Sequence, residues 1–572
     1  MVRYPEAAKS LPYWNCPELL YCGKTISVIT GNHLAHNPEK SAMSDTSIQI
    51  ILDADMPFIR HPDKPGCVEE SRFFDSLSFT YLPLLRSCTA LETEGIPFKL
   101  AIAFSPTLCE MMSDPLLQTR YIEYLDRTIE YGLSELERCS SDPALRELIK
   151  LNMDMMQLNR RDYVEIYDRN ILGKFDYFAT HGFIEILATT ATSCFLPMFS
   201  DIPEAVNAQI ETGLLTYRTH FTAIPSGFWL PAMAYTPGIE VVLKSYGFQY
   251  TVLETHGLLF ASPAPDTGIF ASATCKNGLS VFARDKNSCL EVTDPSTGFA
   301  RAPFCLDTER DIGFELDSET LAPLFDVNTG RRLTGFRYWS RHAGADGKRA
   351  VYEPAKAHEA VRAQALEFLD RRKETLEKAS SLLEGEPVCI TCAFPASYFG
   401  TEWYEGVAWL ESLFRQAAVR SDISFSLPLA NVRLRPAEKR IDPYHSSWFA
   451  SGYAEEVLNS TNDWMYPYVR KATVRMIDLA DRFPDDTGLK ERSLNMAARE
   501  LLLAQTLDWY TGMTRSEESE YAKARFEESL KAFTVVYESL GSNFISTEWL
   551  TTTEKKHNLF RDMNYRVFSH KK

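Results

Sequence analysis

Five short apolar runs set the strongest limit on how this chain folds: IQIIL (48–52), FKLAIAF (98–104), FIEILAT (183–189), FQYTVLE (248–254) and VCITCAF (388–394). Each is separated from the next by helical or irregular sequence too long for a hairpin, which predicts parallel strands joined by crossover helices. Between the second and third runs, Tyr121, Leu125, Ile129, Leu133 and Leu136 recur at helical spacing. Asp142 ahead of Pro143 marks a second helix start, so a helical insertion is expected at about 108–170. After about residue 430 the strand pattern stops. Leu494, Ala497, Ala498, Leu501 and Leu502 then form one stripe, and 431–572 reads as a helical domain after an α/β part at 43–430. Residues 1–42, rich in Pro, Asn and turn formers, are expected to be an irregular extension, with Met43 an alternative start.

A chain of 572 residues with 45% hydrophobic and 24% charged residues has ample apolar surface for large cores, which excludes wholesale disorder. Its net charge of −17, without a basic stripe, argues against nucleic acid and anionic membranes as partners. No apolar stretch of about 18 residues occurs and the first residues lack signal-peptide features, so a cytoplasmic location is expected. Twelve scattered cysteines fit reduced, mostly buried thiols. Cys389 and Cys392, three apart in a strand, should point to opposite faces and form no redox or zinc pair.

An ordered set of longer strings is more specific. MPFIRHP (56–62), FFDSLSFTYLPLL (73–85), GFIEILATTATSCFLP (182–197), GFWLPAMAYTPGIEVVLKSYG (227–247), ETHG (254–257), FARD (282–285), RDIGFEL (310–316) and FGTEWYEG (399–406) are followed by SSWFASGY (446–453), NDWMYPYV (462–469), ERSLNMAARELLLAQTLDW (491–509) and NLFRDMNYRVF (558–568). Together they resemble glycoside hydrolase family 57, and within it the α-1,4-glucan branching enzymes. The resemblance implies an incomplete (β/α)7 barrel with helical insertions and a helical carboxy-terminal domain closing one side of a cleft. It implies no cofactor and no resident metal, with α-glucan or an oligosaccharide as ligand.

The family's retaining chemistry needs a nucleophilic carboxylate and a second carboxyl group as acid/base, roughly 5 Å apart. The resemblance places the nucleophile after WLP, where this chain has Ala232, and the acid/base Asp where it has Pro395. Neither side chain carries a proton or attacks a carbon. Former substrate-contact positions are altered too: the HxH pair ending the first strand is Asp53 and Asp55, and two further His positions are Ser193 and Thr401. Losing a general acid costs about 10²–10⁴-fold and losing a nucleophile on the order of 10⁴–10⁶-fold, so the family's chemistry is expected to be absent.

Trp229, Trp403, Trp448 and His256 are the residues expected to line a ligand, since indole faces stack on sugar C–H faces. For Trp464, packing between barrel and helical domain is the plainer role. Asp53 and Asp55 could instead form a rebuilt acid pair or a cation site with His181 or His256, against the simpler reading of pairing with Arg or backbone amides. Glu185 is expected to hydrogen-bond within the barrel, and the RD dipeptides Arg284–Asp285 and Arg310–Asp311 to tie loops. Three functions therefore compete: an inactive glucan-binding homologue, a carbohydrate enzyme with relocated acids, and an interaction protein with a vestigial cleft and an unknown partner.

Overall fold

The computed structural model describes residues 46–64, 66–343, 349–384, 386–434, 439–542 and 546–570. The extension expected at 1–42 lies outside the described residues. Seven strands run parallel in chain order: β1 (Thr46–Ala54), β2 (Leu100–Phe104), β3 (Ile184–Leu187), β4 (Gly227–Phe228), β5 (Tyr250–Leu253), β6 (Ser280–Ala283) and β7 (Val388–Pro395). β1 pairs with β7 on one side and β2 on the other, β2 continues to β3, and β5 lies between β4 and β6. Two thin seams close the ring. At one, Ala188 bridges Phe228, with Trp229 N–H donating to the Ala188 carbonyl at 2.7 Å; at the other, Arg284 bridges Thr391, with Asp285 N–H donating to the Thr391 carbonyl at 2.8 Å. The result is a parallel seven-stranded barrel made of two sheets joined by single bridges, in keeping with the incomplete (β/α)7 barrel that the resemblance implies. β4 and β6 were not among the five apolar runs: β4 is only two residues long, and β6, Ser280–Ala283, has a polar residue at its start and Arg284–Asp285 directly after it.

Alternation along the strands sorts the side chains. Ile48, Ile50, Leu52 and Ala54 of β1 pack outward among the helices, whereas Ile51 joins Ala101, Ala103, Leu187, Tyr250, Val252, Phe282 and Ala393 inside. The small Ala101 and Ala103 leave room for the rings of Tyr250 and Phe282, so the interior is a packed core. Glu185 belongs to it: its carboxylate accepts from the Tyr250 hydroxyl at 2.7 Å and from Leu429 N–H at 3.1 Å. Cys389 faces inward and Cys392 outward, as their spacing requires.

The insertion contains helices Pro115–Arg138 and Pro143–Arg161, each with Pro in its first turn and an Asp cap. Asp142 accepts from Ala144 and Leu145 N–H at 3.0 and 3.1 Å. The expected stripe holds only at its start. Tyr121 and Leu125 are buried but Leu133 is 59% exposed, because steps of four residues drift about 40° each around a helix, roughly 120° by Leu133. The apolar stripe of Gly488–Ala504 is buried throughout, as that helix lies against Met465–Arg482 and Ser519–Ser542. Among the described residues no helix is long and apolar enough to cross a membrane.

Candidate functional site

Parallel barrels place their reactive groups at the carboxyl ends of the strands. Asp53, the last inward residue of β1, lies in register beside Pro395 of β7 and Ala103 of β2. It is 9% exposed, and the indole N–H of Trp229 approaches its carboxyl outside strict hydrogen-bond geometry. Asp55, two residues on, faces the hydroxyls of Ser193 and Ser105. A third carboxyl arrives from the helical region: Asp508, on the helix Leu507–Gly512, lies within electrostatic reach of both. Burial and mutual repulsion raise Asp53 well above the usual carboxylate range. Burial also raises Asp55, and burial together with Asp55 pushes Asp508 up to about 8. At neutral pH this cluster holds protons that isolated carboxyls would release.

The segment bearing Asp508 is fastened to the loop leaving β3. Thr192 Oγ1 donates to the Leu502 carbonyl at 2.6 Å, Gln209 Nε2 to Gln505 Oε1 at 2.9 Å, and Leu507 N–H to the Ser193 carbonyl at 3.2 Å. Asp508 was missed in the sequence. The signal available was the polar residues Gln505 and Asp508 ending an otherwise apolar stripe in QTLDW.

Ser193 (φ 49°), Ala232 (φ 54°) and Met233 (φ 48°) are left-handed non-glycine residues in the loops leaving β3 and β4. Each such residue costs about 1–2 kcal/mol, so these two loops hold some backbone strain at the mouth. Ala232 is 2% exposed and its carbonyl accepts from Trp448 N–H at 2.8 Å, whereas Pro395 is exposed. Tyr235 and Ser446 exchange backbone hydrogen bonds, which lays the 446–448 segment across the Ala232 loop. His256 Nε2–H donates to the Gly452 carbonyl at 3.0 Å and holds that same segment.

The tryptophans divide differently from expectation. Trp403 is 1% exposed and packed against Trp409, Phe299, Tyr398 and Phe399, which leaves no indole face for a sugar ring. Trp229 is equally buried, inside the barrel top. Trp448 is half-buried and stands edge-on to Trp229 with ring centroids 6.1 Å apart, and it alone of the three keeps exposed surface at the mouth. Trp464 stands edge-on to Phe526 of the helical region. Trp403→Ala should therefore cost about 3–5 kcal/mol of stability, as large cavity-forming changes do, read as a lowered denaturation midpoint.

The remaining positions are structural. Thr401 Oγ1 donates to the Ser397 carbonyl. Arg284 pairs with the buried Glu254 at 2.5 Å, and Asp285 caps the helix Lys286–Thr293. Asp311 accepts from Gly313, Thr334 and Gly335 N–H groups and the Thr334 hydroxyl, while Arg310 is exposed. His181 precedes β3 and so sits at the opposite end of the barrel from Asp53, which removes it as a third ligand there.

Residues 49–326 match the family described as glycosyl hydrolase family 57, and residues 468–568 match the 1,4-alpha-glucan branching enzyme C-terminal domain. The 1,4-alpha-glucan branching enzyme TK1436 of Thermococcus kodakarensis is 26% identical over 510 residues, 84% of this chain and 71% of that protein. The crystal structure of the alpha-amylase AmyC from Thermotoga maritima superposes with a TM-score of 0.86 at 29% identity, covering 93% of this chain and 100% of the other. That of the GH57-type branching enzyme from Pyrococcus horikoshii gives 0.82 at 27% identity, covering 92% and 97%.

Proposed function

From the family 57 domain and branching-enzyme carboxy-terminal domain that this chain carries, we propose that it is a glucan-branching-enzyme homologue that has lost transfer and hydrolysis chemistry and binds α-glucan or a related oligosaccharide at the barrel mouth. One observation carries the reading. The loop after β4 presents a buried methyl at Ala232 and the end of β7 an exposed pyrrolidine at Pro395, while the half-buried Trp448 keeps surface at the mouth. A retaining mechanism has no attacking group and no proton donor at those positions. Any affinity then rests on stacking and on neutral hydrogen-bonding groups, and is expected to be weak.

Affinity electrophoresis in glycogen or amylopectin tests this. The chain should be retarded relative to an unrelated protein of similar charge, and Trp448→Ala should reduce that retardation several-fold, with Asp53→Asn changing it less. Unretarded migration would favour an interaction protein with a vestigial cleft. The convergence of Asp53, Asp55 and Asp508 supports a second reading, an enzyme with relocated acids. Reducing-sugar release or branching by the purified chain, abolished by Asp53→Asn, would establish that reading instead.

A further inference from the structure

On the outside of the barrel, His61, Cys67 and Glu69 bring one imidazole nitrogen, one thiol sulfur and one carboxylate oxygen within 4.8 Å of one another. All three are half-buried. His61 lies in the loop that follows β1, Cys67 immediately precedes the helix Val68–Asp75, and Glu69 sits in that helix's first turn. We propose that these residues form a binding site for a single zinc-class divalent cation, with His61, Cys67 and Glu69 as its three protein ligands and the fourth position left to water.

The donor set carries the assignment. One nitrogen, one sulfur and one oxygen suit a borderline cation such as Zn²⁺, whereas Mg²⁺ and Ca²⁺ select all-oxygen shells. The neighbourhood leaves these donors available. Glu70, beside the set, takes Arg120 at 2.7 Å and the His61 N–H at 3.1 Å on one oxygen and leaves the other buried and unpartnered, and the carboxylates of Glu70 and Glu69 both lie near the Cys67 thiol. Cys67 occupies the cap position of its helix without a side-chain capping bond. The Tyr521 hydroxyl lies 2.9 Å from His61 Nε2; with the ion on Nδ1 it would be the kind of outer contact that fixes a metal-binding imidazole. Of the three, Cys67 borders a surface cavity of about 270 Å³ together with Ser71, Phe74 and Arg332.

Bond lengths of about 2.0–2.3 Å to a tetrahedral ion put ligand atoms roughly 3.5 Å apart. Closing the present triangle by about 1 Å is within reach of rotation about the Cys67 and Glu69 side chains. Binding releases the thiol proton to solvent and leaves a Zn–thiolate bond. The ion would pin the loop after β1 to the helix that follows it, and through Tyr521 to the helix Ser519–Ser542.

The test uses the full, reduced chain stripped with a chelator, titrated with Zn²⁺ against a chromophoric chelator and separately with Co²⁺ as a spectroscopic probe. The expected result is one equivalent bound, with a thiolate-to-cobalt charge-transfer band. Cys67→Ser should abolish the band and weaken Zn²⁺ at least about 100-fold, and Glu69→Gln should weaken it about tenfold. Circular dichroism of the stripped variants should match the stripped parent, so that lost binding is not lost folding. Absence of saturable binding in the parent, binding without the thiolate band, or a band that survives Cys67→Ser would overturn the proposal.

Discussion

Rebuilding both carboxylates, with Ala232→Glu and Pro395→Asp together, is expected to give a folded protein whose branching and hydrolysis rates stay at least about a thousandfold below those of a competent family 57 enzyme. A retaining pair works only if its nucleophile is ionised while its partner keeps a proton. The mouth opposes that division. Pro395 lies in register beside Asp53, and the carboxyls already there are raised from the usual carboxylate range: Asp53 by burial and then Asp55, Asp55 by burial, and Asp508 by burial and then Asp55. Two more acids there would push every member upward and discourage ionisation of the one that must attack. A general acid alone contributes about 10²–10⁴-fold and a nucleophile more, so a mis-ionised pair forfeits most of the gain. The left-handed backbone of Ala232 is an obstacle of a different kind, because a longer side chain must leave a site that is 2% exposed. Branching and reducing-sugar assays on the double variant decide the matter. Robust turnover would show that two residues were all the cleft had lost. If turnover stays low, adding Asp53→His and Asp55→His should raise it, since both changes remove competing acids.

What the sequence made legible follows from which forces act locally. The five apolar runs became β1, β2, β3, β5 and β7 because a strand buried on both faces must be apolar at nearly every position. β4 and β6 escaped notice because the neighbouring strands hold them in the ring, and two residues such as Gly227 and Phe228 carry no pattern of their own. Strand parity puts Asp53 and Asp55 on one side, and the barrel makes that side the inward one. Asp508 was not readable, because only the packing of the Gly488–Ala504 helix against the β3 loop brings it to the mouth from some 450 residues along the chain. The same limit applies to the tryptophans. An aromatic at a motif position looks the same whether its face is open, as in Trp448, or closed by Trp409 and Phe299, as in Trp403.

Asp508→Asn is expected to stabilise the protein and to remove a large part of its loss of stability between about pH 4 and pH 8. The sign follows from proton linkage. Asp508 titrates near the ordinary carboxylate value when unfolded, but burial and then Asp55 raise it to about 8 in the fold. Between those two values the native state binds a proton that the unfolded chain has released, so raising the pH favours unfolding. Below about pH 4 both states are protonated and the penalty vanishes; above about pH 8 both have lost the proton and the penalty is complete. One group can lose about 1.4 kcal/mol per pH unit at most. Part of the Asp508 surface reaches solvent and Asp55 shares its titration, so a total of about 1–3 kcal/mol is the reasonable expectation at pH 8. The neutral amide of Asn keeps a similar shape and carries no such penalty. Denaturant unfolding of parent and variant at pH 5 and pH 8 measures the effect: the two should be close at pH 5, with the variant ahead at pH 8. Equal stabilities at pH 8, or a variant that is less stable there, would mean that Asp508 is ionised in the fold and held by a partner charge, and the proton-holding cluster at the mouth would have to be abandoned.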